Sequence, residues 1–178
     1  LFTAMIAVLK YIDEQTNLKQ FYFGTDSFEY VWEKLIDRVY GIKDKYKFFP
    51  RTRWYLKGKV KENYALEPDS IMLHNGKIYV LDAKYYRYGI TGNPMHLPES
   101  SSINKQITYG EYIYTQERFK REYGDDVPVY NAFLMPYNSA KNVFGFDSIY
   151  GNIGEAKGDW KVGDHNYERV QGIVVDLS

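Results

Sequence analysis

The chain has 178 residues, 44% of them hydrophobic, and its 23 Lys plus Arg balance 23 Asp plus Glu. That length suits one ordinary globular domain with a substantial core, and zero net charge argues against a uniformly basic nucleic-acid-binding surface while leaving a local patch open. The chain contains no cysteine, which excludes disulfides, thiol nucleophiles, Cys-ligated zinc and iron–sulfur clusters.

Residues 1–9 are apolar but lack a preceding basic region and a small-residue cleavage site, so they do not read as a signal peptide. No run approaches the ~20 apolar residues of a membrane span, and the cytoplasm is the expected compartment by elimination. The first residue is Leu rather than Met, which suggests a piece of a larger polypeptide. Periodicity predicts a helix over 1–14 and a second over 26–40, where Thr25 or Asp26 can cap and Phe28, Val31, Trp32, Leu35, Ile36 and Val39 form an apolar stripe. Strands are expected at 46–49 and 54–60. Between positions 41 and 61 eight Lys and Arg face one acid, Asp44, so this window carries +7 and the remainder −7. Tyr46, Phe48, Phe49, Trp54 and Tyr55 are interleaved with the basic residues. Such a run can follow a phosphate backbone; a solvated strand pair whose lysines protect an edge explains it equally well. A hairpin over 69–83, a helix over 103–122 and strands at 127–135, 143–149 and 169–176 follow, with 151–166 expected to be a loop. Helices on both sides of a strand block predict an α/β layered domain with a mixed sheet. Repeats, low-complexity segments and linkers are absent, so residues 1–178 read as a single domain.

The hairpin carries the chemistry. Asn75-Gly76 between two apolar runs predicts a two-residue turn. That turn fixes a register in which His74 faces Lys77, Leu73 faces Ile78, Ile71 faces Val80 and Asp69 faces Asp82. Alternation puts Asp69, Ile71, Leu73, Ile78, Val80, Asp82 and Lys84 on one face. Two carboxylates then stand ~4.5–5.5 Å apart at their Cβ atoms, an arrangement that is destabilising without a counter-charge. Met72, Tyr79 and Leu81 make the other face apolar too, so the ribbon reads as buried on both sides. Lys84 can supply part of the counter-charge and a divalent cation the rest. Oxygen ligands without nearby His or Cys favour Mg²⁺ or Mn²⁺ over zinc. The bland alternative is that both Asp residues end strands at the surface, neutralised by Lys84.

Pro68-Asp69, thirteen further residues and then Asp82-Ala83-Lys84 resemble the PD-(D/E)xK nuclease signature. The upstream segment Phe23-Gly24-Thr25-Asp26-Ser27-Phe28-Glu29-Tyr30-Val31-Trp32-Glu33 resembles LlaJI-type restriction endonucleases, whose nuclease subunit is related to the McrC-type partner of a GTP-driven motor. The resemblance implies a restriction-endonuclease-like α/β core and Mg²⁺-dependent hydrolysis of DNA phosphodiester bonds, with Mn²⁺ able to substitute. It implies metal ligation by Asp69, Asp82 and the Ala83 carbonyl, with Lys84 orienting the attacking water. It also implies that an acid of the preceding helix joins the site. Glu29 lies about 20° from Ile36 on the helical wheel, at the margin of the apolar stripe, and Glu33 lies further out, so Glu29 is the stronger candidate. Related nucleases place a Gln on the helix after the Lys strand; Gln106 fits, although a buried structural amide fits as well. One branch spaces that Gln three residues from a Tyr, whereas Tyr109 here follows after two.

Lys47, Arg51, Arg53 and Lys57 would hold the duplex backbone without reading bases. A McrB-like GTPase motor and sequence recognition would lie outside this fragment, and cutting both strands calls for a homodimer or paired complex. Two other readings stand beside this one: a non-catalytic DNA-binding or assembly module, and a junction-resolving or transposon-end nuclease on the same scaffold. His74, His96 and His165 show no ligand spacing. No GxSxG, HExxH or GxxxxGK[ST] motif is present, which leaves serine hydrolase, zinc protease and NTPase readings without support.

Overall fold

A computed structural model describes residues 27–141 and 143–176. The expected helix over 1–14 and the capping residues Thr25 and Asp26 lie outside the described residues.

Helix α1 (Phe28–Tyr40) buries Trp32 and Ile36, one turn apart on its apolar stripe. Gly41 ends it, donating its amide to the Asp37 carbonyl at 2.8 Å. A Cβ at Gly41 would stand 2.4 Å from Asp37 and 2.7 Å from the Ser70 hydroxyl, so only glycine lets the chain turn here against the start of the hairpin. Residues 46–49 do not form the expected strand. Lys45–Phe48 is a 3₁₀ turn that buries Phe48 against Phe119, since a short apolar run does not by itself distinguish strand from helical turn.

The basic segment then forms a freestanding antiparallel ribbon of β1 (Arg51–Leu56) and β2 (Lys59–Ala65). The expected single strand over 54–60 is divided at Gly58, whose φ of +81° is a turn conformation open to glycine. A second ribbon follows at once, β3 (Ser70–His74) and β4 (Lys77–Ala83). Its turn has φ of +50° at Asn75 and +70° at Gly76, both positive as a type I′ turn requires. Its register pairs His74 with Lys77, Leu73 with Ile78 and Ile71 with Val80, as expected.

The short helix α2 (Tyr88–Thr91) leads to α3 (Ser100–Thr115) and α4 (Glu117–Tyr123), which break at Gln116 instead of running on as one helix. Strand β5 (Val129–Tyr137) pairs parallel with β4, and β7 (Arg169–Asp176) pairs parallel with β5. Strand β6 (Tyr150–Lys157) pairs antiparallel with β7 at the edge. The expected strand at 143–149 is absent there, and half of the expected loop 151–166 is strand. Gly154 explains the misreading: its φ of +118° sits at a register shift opposite Gly172, a bulge that hides the alternation. The sheet order is β3-β4-β5-β7-β6, a mixed five-stranded sheet.

Helices cover both faces. Trp32 and Ile36 pack on Leu81, Ala83, Ala132 and Leu134, and the Trp32 indole donates to the Leu134 carbonyl at 2.9 Å. On the opposite face Ile71, Ile78 and Val80 pack with Tyr109, Ile113 and Phe119. Full burial of such side chains contributes ~1.5–3 kcal/mol each, so the β3–β4 ribbon is fixed from both sides. This is the restriction-endonuclease-like α/β core expected from the sequence. Among the described residues no helix is long and apolar enough to cross a membrane.

Candidate active site

Position 81 is the last residue of β4 paired to β3, through Ser70. Asp69 and Asp82 are the next residues outward on the two strands. Asp69 lies just before β3, and its Oδ2 accepts the Ala83 amide at 2.8 Å, closing the ribbon with a side-chain bond where the ladder stops. Asp82 is inside β4 and only 3% exposed. Lys84 returns to the same face, its Nζ 2.5 Å from Asp82 Oδ2. Among the described residues this ion pair is the only polar side-chain contact that Asp82 Oδ2, a buried atom, makes.

The electrostatics follow from this crowding. Burial, and then the neighbouring Asp82 charge, push the Asp69 carboxyl up to about 6, against the pull of the Ala83 amide and Lys84. Burial alone would lower the Lys84 ammonium, but Asp82 and Asp69 outweigh it and raise it. Tyr109 of α3 is fully buried, its hydroxyl has no hydrogen-bond partner, and burial and then the Asp82 and Asp69 charges raise its pKa.

Two adjacent carboxylates, one of them buried and faced by a single ammonium, offer oxygen ligands to a hard divalent cation. Among the described residues no third Asp, Glu or His completes a metal cluster. Mg²⁺ tolerates that shortage because it keeps several waters and accepts one or two carboxylates. The residues therefore fit such an ion, with the backbone carbonyl of Ala83 available beside them.

The other expected site residues are placed differently. Glu29 is exposed at the start of α1. Glu33, one turn later, is half-buried, adds to the negative field on Asp69 and lines a cleft of ≈ 200 Å³ with Asp37, Lys45, Glu67, Pro68 and Asp69. Of the two helix acids it is Glu33, not Glu29, that borders the cleft. Proximity to the apolar stripe says which residues border the core but not which border faces the site. Gln106 is buried and donates to the Val80 carbonyl at 2.7 Å. Its amide ties α3 to β4 on the face that carries Asp82.

Sequence reasoning missed Lys45, counted only as a patch charge. Its Nζ donates to the Asp69 carbonyl at 2.6 Å and pairs with Asp37 at 2.8 Å, clamping the Pro68-Asp69 backbone to α1. Tyr109, whose spacing from Gln106 departs from that of one branch of related nucleases, follows it by one helical turn and is buried beside it.

Of the basic patch, Lys47 pairs with Asp44, and Arg51 and Arg53 both pair with Glu62. Lys57 is exposed at the β1–β2 turn and has no ion pair among the described residues.

No curated protein matches the sequence. A family model described as LlaJI restriction endonuclease matches residues 2–153, which include Asp69, Asp82 and Lys84. With most of its length so matched, and with an α/β core carrying an acidic pair beside a lysine, the chain belongs to the LlaJI restriction endonuclease family.

Proposed function

We propose that the chain is a Mg²⁺-dependent endodeoxyribonuclease of the PD-(D/E)xK type. This refines the coarser statement that family membership makes directly, a DNA nuclease of a restriction system. The observation that carries the reading is the pair of carboxylates at the ribbon end, Asp82 buried against a single ammonium and Asp69 raised to about 6 by burial and then by the Asp82 charge. A hard cation relieves their repulsion.

Asp69, Asp82 and the Ala83 carbonyl would hold the ion. When bound, it supplies Lewis acidity at the scissile phosphate and lowers the pKa of the attacking water. Lys84 orients that water and offsets charge developing on the phosphoryl group. Lys45 keeps the Asp69 backbone in place, and Glu33 adds negative field from α1. Lys47, Arg51, Arg53 and Lys57 hold the duplex backbone, contributing affinity without base readout. The main sequence recognition comes from elsewhere in the full polypeptide or from a partner subunit, the nucleotide-driven motor is a partner, and a second copy supplies the second active site for cutting both strands.

Lys84→Ala tests the reading. Cleavage of duplex DNA in Mg²⁺ is expected to fall ~100-fold or more while circular dichroism shows the fold intact. Retained cleavage by this variant would overturn the assignment. Calorimetric titration with Mn²⁺ separates the nuclease from a non-catalytic module, which would bind none.

A further inference from the structure

The β1–β2 ribbon has two different faces. Arg53 pairs across with Glu62 and Tyr55 with Val60, and Glu62 also holds Arg51, so that face is partly neutralised. On the other face Trp54 stands opposite Lys61 and Leu56 opposite Lys59, and Thr52 bonds Asn63 at 2.8 Å. This second face carries no carboxylate, and Lys59 and Lys61 have no ion pair among the described residues. Trp54 is 60% exposed and Leu56 44%. An unshielded face of two cations, an indole and two amide or hydroxyl groups is complementary in charge to a polyanion.

We propose that this acid-free face enters the major groove of the duplex, with Lys59 and Lys61 against phosphates and Trp54 and Leu56 against base edges. The inference rests on the nuclease reading and adds a mode of engagement to it. Dimensions agree: two strands ~4.8 Å apart with their side chains match a groove ~12 Å wide. Position agrees too. The ribbon springs from Pro50, whose carbonyl accepts the Leu66 amide, and Phe49, Glu67, Pro68 and Asp69 line one cleft at its base. The base of the ribbon thus adjoins the cleft that Asp69 lines, and a duplex lying along the ribbon toward its base would reach the acidic pair. A second copy of the ribbon is a poorer occupant, because it would set lysines against lysines.

The test measures binding of the intact chain to a labelled duplex in EDTA, where cleavage is suppressed. A Trp54→Ala, Lys59→Ala, Lys61→Ala variant is expected to bind ~10-fold more weakly or worse at physiological salt, with the salt slope reduced by about 2. A Tyr55→Ala, Val60→Ala variant on the other face is expected to bind like the unaltered chain. Glucosylated hydroxymethylcytosines, which fill the major groove, are expected to weaken binding of the unaltered chain. Unchanged affinity and salt slope in the triple variant would overturn the proposal. So would equal loss from the opposite face, indifference to the glucosyl groups, or a triple variant whose only change is dissociation of a dimer. Failure of the nuclease reading registers separately, as Lys84-independent cleavage.

Discussion

Two ribbons follow one another in the chain and are built alike, yet one is largely buried and the other almost wholly exposed. Both β1–β2 and β3–β4 are antiparallel pairs closed by a two-residue turn ending in glycine, and four residues join them. The β3–β4 ribbon is apolar on both faces near the site, and helices pack on each side. The β1–β2 ribbon mixes charged and polar side chains with its apolar ones on both faces, and its strands are exposed along almost their whole length. Local turn chemistry therefore makes the ribbon, and face composition decides where it goes. The consequence is functional: burial raises the energy of the acid pair at the end of β3–β4, while exposure leaves β1–β2 free to meet a partner.

The contrast can be broken by core truncation. Ile71→Ala in β3 is expected to cost ~2–5 kcal/mol in denaturant unfolding, by lost transfer energy and a residual cavity. Val60→Ala in β2 is expected to change stability by less than ~0.5 kcal/mol. Comparable losses at both positions would show that the exposed ribbon is packed in solution.

A second expectation concerns pH. The Asp69 carboxyl is raised in the folded protein from its ordinary value near 3.8 to about 6. Folding therefore favours its protonated form. The associated stability is fully present below pH ~4 and is lost as pH rises through ~6. In metal-free buffer, Asp69→Asn is expected to gain Tm relative to the unaltered chain at pH 7.5 and to lose that advantage at pH 4. An equal difference at both pH values would contradict the crowded-acid account. Mn²⁺ at pH 7.5 is expected to raise the Tm of the unaltered chain and not that of Asp69→Asn.

The smallest effect separates the two turns. Gly76→Ala and Gly58→Ala impose similar strain, since φ is +70° and +81° and a Cβ meets nothing at either position. Gly76→Ala is expected to cost ~1 kcal/mol of global stability. Gly58→Ala is expected to fray only its own ribbon, seen as faster amide exchange near the tip with an unchanged Tm.

The β3–β4 ribbon was legible in the sequence because Asn75-Gly76 fixes the register and the register fixes the faces. From those alone Asp69, Asp82 and Lys84 could be placed together. Strand β7 was legible to its ends. Residues 46–49 were not, because a buried Phe48 looks the same in a strand and in a 3₁₀ turn. Gly58 and Gly154 misled in opposite directions: Gly58 is a turn inside an expected strand, and Gly154 is a bulge inside a strand that was expected to be loop. That Glu33 borders the cleft was not legible, because a helical wheel carries no information about which border of the apolar stripe the neighbouring hairpin meets. Lys45 was invisible because its partner at Asp69 is a backbone carbonyl, which sequence patterns do not display.

The central claim is that the ribbon end gathers a cation site, and a crystal soaked in Mn²⁺ tests it most directly. The account predicts an anomalous peak ligated by carboxylate oxygens of both Asp69 and Asp82. A peak confined to the Glu33–Glu67 cleft, or no peak beside a well-ordered Asp82, would contradict it.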